Sequence, residues 1–516
     1  MNKNILKLNL IIPIFFGLVF SLFSLNTVSA WDGVSLVKNN ISINSDGISK
    51  ILNINGTLYF SATDGVSGQE LWKSDGTEAG TVMIKDINPD YDSFPSCLTN
   101  VNGILYFYAN NGINGIELWK SDGTTVGTVL VKDIYSGSAS SNPSGLVNIN
   151  GILYFTANDG IHGTELWKSD GTQAGTFMIK DINPGAGGVS SYAFVEANGS
   201  VFFFVSVMHG SELWKSDGTG AGTIKIYDCP LNVSYLTNVN DVLYFSGYDG
   251  EHGQELWKSD GTESGTQIVK DINPGSNDSS LYYLINVNNV LYFQADDGEH
   301  GQELWKSDGT EAGTVMVKDI YPGSNGSGPS NLTNVNGVLY FEAYNESESG
   351  LWKTDGTEAG TVMVKKNISI FSSKGFLNIN GVNYFSAYDY EHGTELWKTD
   401  GTEAGTIMIK DINIQTNYYG SPGDSNPNDL VNLNGTLYFS ARDNENGTNT
   451  FNLFRLIDCG ADQSYDSVGD YIGSTKAVLG VYKNPGYRYK QYEDILYKYL
   501  ENFHQLTGIT LKKFSK

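Results

Sequence analysis

The residues in this chain whose types and spacing could do chemistry come in copies. His162, His252, His300 and His392 each stand three residues after an aspartate, as in Asp249-Gly-Glu-His252 and Asp297-Gly-Glu-His300. An imidazole beside a carboxylate offers metal ligands or a polar binding contact. A second series, Asp75, Asp170, Asp260 and Asp308, lies in Ser-Asp-Gly-Thr segments and offers oxygen ligands of the kind calcium takes. Both series have a plainer reading. The first two copies of the His segment carry no His, His209 is offset in a degenerate copy, and ligand type without geometry is weak support for a metal. An Asp beside Gly in a turn most often accepts hydrogen bonds from its own backbone. The four His are therefore candidates for ligand binding, and the four Asp candidates for calcium, beside the plainer turn reading.

Catalytic chemistry needs residues that break the repetition, and no catalytic residue stands out. A sialidase would clamp its carboxylate substrate with clustered arginines, whereas this chain has only Arg442, Arg455 and Arg488. No Ser sits in a nucleophile-elbow motif. Paired carboxylates for a hydrolase or lyase are plentiful, and geometry alone would select a pair.

The elements that carry these residues repeat. Trp72, Trp119, Trp167, Trp214, Trp257, Trp305, Trp352 and Trp397 recur at steps of 43 to 48 residues, mostly within Glu-Leu-Trp-Lys-Ser-Asp-Gly-Thr. That period marks one supersecondary unit per copy. In the copy over residues 145–185, four β-prone runs alternate with turns: 145–150, 152–157, 164–169 and 176–182. Asn150-Gly151 joins the first pair and is a strong hairpin signal. Four antiparallel strands in about 45 residues is a β-propeller blade. A Trp on the third strand then reads as core between blades, with stacking on a sugar ring as the sharper alternative. Lys85-Asp86, Lys132-Asp133 and Lys318-Asp319 read as solvated neighbours on the outer strand, each worth little.

Counting the first turn gives nine copies: Asn55-Gly56, Asn102-Gly103, Asn150-Gly151, Asn198-Gly199, Asn240-Asp241, Asn288-Asn289, Asn336-Gly337, Asn380-Gly381 and Asn434-Gly435. The ninth copy has Phe454 where Trp would be and no clear fourth strand after it. Residues 36–43, Leu-Val-Lys-Asn-Asn-Ile-Ser-Ile, match residues 363–370, Met-Val-Lys-Lys-Asn-Ile-Ser-Ile, which begin at a fourth-strand position. The expectation is an all-β propeller of eight to nine four-stranded blades, closed by the N-terminal strand.

Glu303-Leu-Trp-Lys-Ser-Asp-Gly-Thr310 and its copies resemble the ELWxxDGT repeat proteins, over residues 45–456. Copy seven departs, with Gly350 in place of Glu. The resemblance implies an exported, propeller-like repeat and carries over no catalytic residues. The Ser-Asp-Gly-Thr turn is also similar in role to the Asp-box of sialidase-type propellers.

Composition fits an exported module. Lys3, Lys7, the apolar run 10–25 and Val28-Ser29-Ala30 read as a signal peptide over residues 1–30. No second apolar stretch of spanning length follows, so no transmembrane segment is expected in the mature chain. A net charge of −25 argues against nucleic acid. Residues 458–516 are less acidic, and Tyr492, Ile495, Leu496, Tyr499, Leu500 and Phe503 at helical spacing predict an amphipathic helix over about 489–506. With the propeller over 31–457, strand order puts two kinds of loop on opposite rims. The first-to-second and third-to-fourth turns are nearly constant. The second-to-third turns and the blade-to-blade connections, including 185–188 and 413–429, carry the differences, and binding residues favour variable loops on a rigid scaffold. The expected function is a secreted or cell-surface binding or structural module for an extracellular protein or glycan, without cofactor. A carbohydrate-active hydrolase or lyase is the alternative, and a calcium-dependent adhesive protein the third.

Overall fold

All nine first turns place two consecutive residues at positive φ, from Asn55 at 51° and Gly56 at 82° to Asn434 at 53° and Gly435 at 86°. Where the second residue is not Gly, Asp241 (61°) and Asn289 (67°) take the same conformation. A two-residue turn of this kind matches the twist of the strands it joins. The computed structural model describes residues 34–38, 41–43, 50–185, 194–207, 210–229, 233–370, 376–415, 422–443, 450–456, 467–472 and 475–480.

These hairpins seed nine antiparallel sheets arranged as the blades of a β-propeller. In blade 3 the strands are Ser144–Ile149, Ile152–Asn158, Thr164–Ser169 and Phe177–Lys180. The second and third pair in unbroken register, with Phe155 opposite Trp167. Blade 9 takes Asn428–Leu433, Thr436–Ala441 and Asn452–Leu456 from the end of the propeller sequence. Its fourth strand is Val34–Leu36, with Val34 opposite Leu456 and Leu36 opposite Phe454. The kinship of 36–43 with 363–370 extends further. Ser42–Ile43 adds to the second strand of blade 1 as Ser369–Ile370 adds to that of blade 8.

The core is divided among the interfaces between blades. Leu71, Ile84 and Ile87 of blade 1 pack against Leu105, Phe107 and Trp119 of blade 2. Equivalent clusters join each later pair, and Leu433, Tyr438 and Leu453 of blade 9 meet Leu58, Phe60 and Trp72 of blade 1. Nine blades with nine such interfaces form a closed ring, which hides the strand edges at the seam. Phe454 is as buried as the repeat Trp residues other than Trp214 and stacks on Phe439 with ring centroids 5.8 Å apart.

Residues 458–516 form a separate compact unit. Its described part is a hairpin of Ser467–Ile472 with Thr475–Gly480, which helical periodicity did not anticipate. The helix expected over 489–506 and the signal peptide expected over 1–30 lie outside the described residues. Among the described residues no helix is long and apolar enough to cross a membrane.

Candidate functional site

The nearly constant rim is wired from side chain to side chain and from blade to blade. In its third-to-fourth turn, Asp75 Oδ1 accepts hydrogen bonds from the Thr77 backbone N–H at 2.9 Å and the Thr77 hydroxyl at 2.7 Å. Ser74 and Thr81 hydroxyls bond at 2.7 Å beneath it. Asp170, Asp260 and Asp308 make the same pair of bonds to Thr172, Thr262 and Thr310. These bonds hold each carboxyl below its ordinary range. The four exposed carboxylates are thus members of their own turns.

The neighbouring blade then fastens that turn. Lys73 Nζ donates to Gly123 O of the next blade at 2.8 Å, and Lys120, Lys258 and Lys306 repeat the bond to Gly171, Gly309 and Gly356. A tyrosine from the preceding blade lies so close to each of these glycines that a side chain would collide. A Cβ on Gly309 would fall 2.2 Å from the Tyr244 hydroxyl oxygen. Near the hairpins, Asn148 Nδ2 donates to Asn100 O, Asn286 to Asn238 O and Asn334 to Asn286 O, an innermost ladder of amides from blade to blade. These Asn stand two residues before the hairpin Asn; their fixed spacing was the available signal.

The lysines read as solvated are part of this wiring. Lys85 Nζ donates to Thr128 O at 2.8 Å, Lys132 to Thr176 O at 2.7 Å and Lys318 to Thr361 O at 3.0 Å. Each also lies over the next blade's Trp, within 6.0 Å of the ring centroid. An outer-strand lysine looks solvent-bound until the adjoining blade is in place. Asp86, Asp133 and Asp319 face differently, each with one buried carboxylate oxygen.

The opposite rim, which carries the blade-to-blade connectors, depends in six blades on one buried carboxylate. The Glu of Glu-Leu-Trp-Lys is fully buried at Glu70, Glu117, Glu165, Glu255, Glu303 and Glu395. Glu395 Oε2 accepts from the Ile412 backbone N–H at 2.9 Å and the Ser425 hydroxyl at 2.6 Å, so it grips both ends of a connector. Glu117 does the same with Ile134 and Ser141. Burial pushes these carboxyls up, Glu70 and Glu165 to about 7 and Glu255 and Glu395 to about 8. Blade 7 has Gly350 because its fourth strand continues alongside, with Gly350 opposite Lys366. A Cβ there would fall 2.1 Å from Lys365 O.

The histidines sit in the second-to-third turns of this rim. Asp159 Oδ1 accepts from the backbone N–H groups of Ile161 and His162, and Oδ2 lies 2.7 Å from His162 Nδ1. Asp249 with His252, Asp297 with His300 and Asp389 with His392 form the same clasp. The aspartate bond raises each imidazole above its ordinary value. In blade 1, Ser67 bonds Asp64 in that place, and in blade 2 Asn114 accepts from Asn111. The four His stand one per blade in blades 3, 5, 6 and 8, and among the described residues no group of three or more His, Cys, Asp or Glu side chains is placed to hold a metal ion. His209 lies outside the described residues.

What differs around the rim is exposed. Val66, Ile113 and Ile161 tip the turns of blades 1 to 3 at 89%, 72% and 73% exposure, whereas Glu251 and Glu299 tip blades 5 and 6. Tyr235, Tyr282 and Tyr283 cluster at the start of the innermost strands of blades 5 and 6.

No family model matches the chain, and no curated protein does. Among solved structures it is similar to a puromycin hydrolase, 13% identical over 67% of this chain, with a TM-score of 0.36. It is also similar to a puromycin-hydrolyzing peptidase of Mycobacterium tuberculosis (9% over 77%, TM-score 0.41) and to oligopeptidase B from Leishmania major (11% over 68%, TM-score 0.37). The chain spans 58%, 57% and 54% of those three proteins. Likeness at this level carries no conclusion about activity.

Proposed function

We propose that this chain is an exported β-propeller that binds an extracellular protein or glycan through its connector rim and catalyses no reaction. The observation that carries this reading is how little the rim demands of its exposed residues. In six blades a buried Glu, joined in four of them by a buried Ser, holds the connector, so the tips are free to differ, and they do: Val66, Ile113 and Ile161 against Glu251 and Glu299. Exposed aliphatic and aromatic residues on loops held by a rigid scaffold suit recognition.

Saturable cosedimentation of the full mature chain with cell-envelope preparations tests it. Combined changes at Val66→Ser, Ile113→Ser, Tyr235→Asn and Tyr283→Asn are expected to abolish binding. Changes at Glu263→Gln and Glu311→Gln, exposed on the other rim, are expected to leave it intact. Equal loss from both sets, or no saturable binding, would overturn the reading.

The hydrolase or lyase reading has one observation in its favour. Glu255 and Glu395, at about 8, are protonated at neutral pH as a general acid must be. Both are fully buried and occupied by connector amides, out of reach of a polysaccharide. Turnover of neutral or uronic polysaccharides that is lost in Glu255→Gln would favour catalysis instead.

A further inference from the structure

In six blades the innermost strand opens with the same irregularity, two residues lying opposite one on the second strand. The residue in the bulge takes positive φ in every case: Cys97 (55°), Gly145 (63°), Tyr235 (60°), Tyr283 (58°), Asn331 (58°) and Asp429 (54°). Gly, Asn and Asp suit that conformation, and a bulky aromatic does not. The bulge itself therefore asks nothing of a tyrosine. The residue opening the strand is Ser96, Ser144, Ser234 and Ser330 in four of these blades, but Tyr282 in blade 6.

Tyr235, Tyr282 and Tyr283 are 39%, 43% and 38% exposed, so burial does not explain them either. Tyr235 meets Tyr282 edge to face with ring centroids 5.8 Å apart, across the junction of blades 5 and 6. Tyr282 and Tyr283 lie 6.3 Å apart at 48°. Side chains that the fold does not need and leaves in solvent, two of them (Tyr235 and Tyr283) held in an unfavourable backbone conformation, mark a site of use.

We propose that Tyr235, Tyr282 and Tyr283 form a binding site for a neutral saccharide chain. A pyranose presents C–H faces that stack on aromatic rings and hydroxyls that a phenol can bond, and a tyrosine supplies both. Exposed Ser276 and Asn277 lie in the connector that leads into the cluster. Among the described residues, the large apolar residues exposed in blades 5 and 6 are these three tyrosines and Val315, the last on an outer strand. A protein-docking patch would add aliphatic neighbours, and the most exposed of those at turn tips, Val66, Ile113 and Ile161, stand on blades 1 to 3. Glu251 and Glu299 tip the same two blades, and the whole chain carries a net charge of −25, which disfavours acidic glycans.

This inference rests on the connector rim being a binding face, and affinity electrophoresis separates the two claims. The full mature chain is run through gels containing hydroxyethyl cellulose, xyloglucan, mannan or laminarin, with hyaluronate as the acidic control. At least one neutral polymer is expected to retard it. Tyr235→Asn with Tyr283→Asn, which installs the residue used in blade 7, is expected to weaken retardation at least about tenfold while leaving the melting temperature equal or higher. Tyr282→Ser, the residue of four other blades, is expected to act in the same direction. No retardation by any neutral polymer, retardation by hyaluronate alone, or undiminished retardation of the variants would overturn the saccharide site. If envelope cosedimentation survives that result, the binding face stands and its ligand is of another class; if it fails too, both fall.

Discussion

The two rims of this propeller solve the same problem, holding turns in place, by opposite means. On the nearly constant rim each turn is fastened by side chains of an adjoining blade, through the Lys73-to-Gly123 and Asn148-to-Asn100 bonds and their copies. A change in one copy there disturbs the next, so the copies stay alike. On the connector rim the fastening side chain comes from the blade that the connector leaves. The Ser backbone then continues into the next blade, as where Asn158 N–H donates to Ser141 O. Backbone bonds do not read side-chain identity, so connectors and tips are free to diverge. The comparison teaches that repetition in this sequence follows contact between blades, and that diversity gathers where such contact is made by backbone.

Glycines give the largest contrast between the rims. Gly309 on the constant rim has φ +87° and faces the Tyr244 hydroxyl, whereas Gly323 in a connector has φ +96° with open space around it. Gly309→Ala should cost about 3 kcal/mol from strain and collision together. Gly323→Ala should cost only about 1 kcal/mol, from backbone strain alone. Urea denaturation of the two variants checks this, and equal losses would break the distinction.

Next in size is the carboxylate beneath the connectors. Glu395→Ala should cost about 2–3 kcal/mol by stranding the Ile412 amide and the Ser425 hydroxyl. Faster hydrogen exchange should be confined to that connector, because the next blade holds the other turns. The same carboxylates set a pH dependence. The folded values of Glu70, Glu165, Glu255 and Glu395, about 7 to 8, lie above the ordinary 4.5, so the folded state binds protons more tightly than the unfolded chain. Their contribution is fully present below about 4.5 and is lost as pH rises through 7 to 8. The raised imidazoles act in the same direction, while the turn aspartates oppose it only in stronger acid. The melting temperature should therefore fall between pH 5 and about 8.5. Glu70→Gln, Glu255→Gln and Glu395→Gln combined should flatten that fall.

Smaller effects test single fastenings. Lys132→Met should cost about 1 kcal/mol through its lost bond to Thr176, since the apolar stem can still cover Trp167. His252→Asn, which installs the residue type of blade 2, should change the melting temperature less than any of these, because the clasp with Asp249 is partly exposed. EDTA should not shift it, because Asp75 Oδ1 and its copies already accept two bonds within their turns.

Much of the architecture was legible because it rests on local backbone needs. Nine Asn-led turns report nine hairpins, since two consecutive residues at positive φ select Asn, Asp and Gly. The ring closure was legible because 36–43 and 363–370 are alike, and both halves of that likeness proved structural. What escaped the sequence lay between blades. Lys85 looks solvated until Thr128 and Trp119 of the next blade come beside it, and Glu70 looks like any strand carboxylate until a connector closes over it. The tyrosine cluster was hidden for a related reason, since only the bulge register shows Tyr235 and Tyr283 where other blades have Gly145 and Asn331. In the C-terminal unit the apolar residues at helical spacing stand out in the sequence, whereas the short β-prone runs 467–472 and 475–480 carry a weaker signal.

Hydroxyl-radical footprinting of the mature chain, with and without saturating envelope preparation, tests most directly whether recognition belongs to the connector rim. The account predicts protection of Tyr235, Tyr282 and Tyr283, with unchanged labelling of Val126, which is 88% exposed on a turn of the constant rim. Protection of Val126 with the three tyrosines still labelled would contradict it.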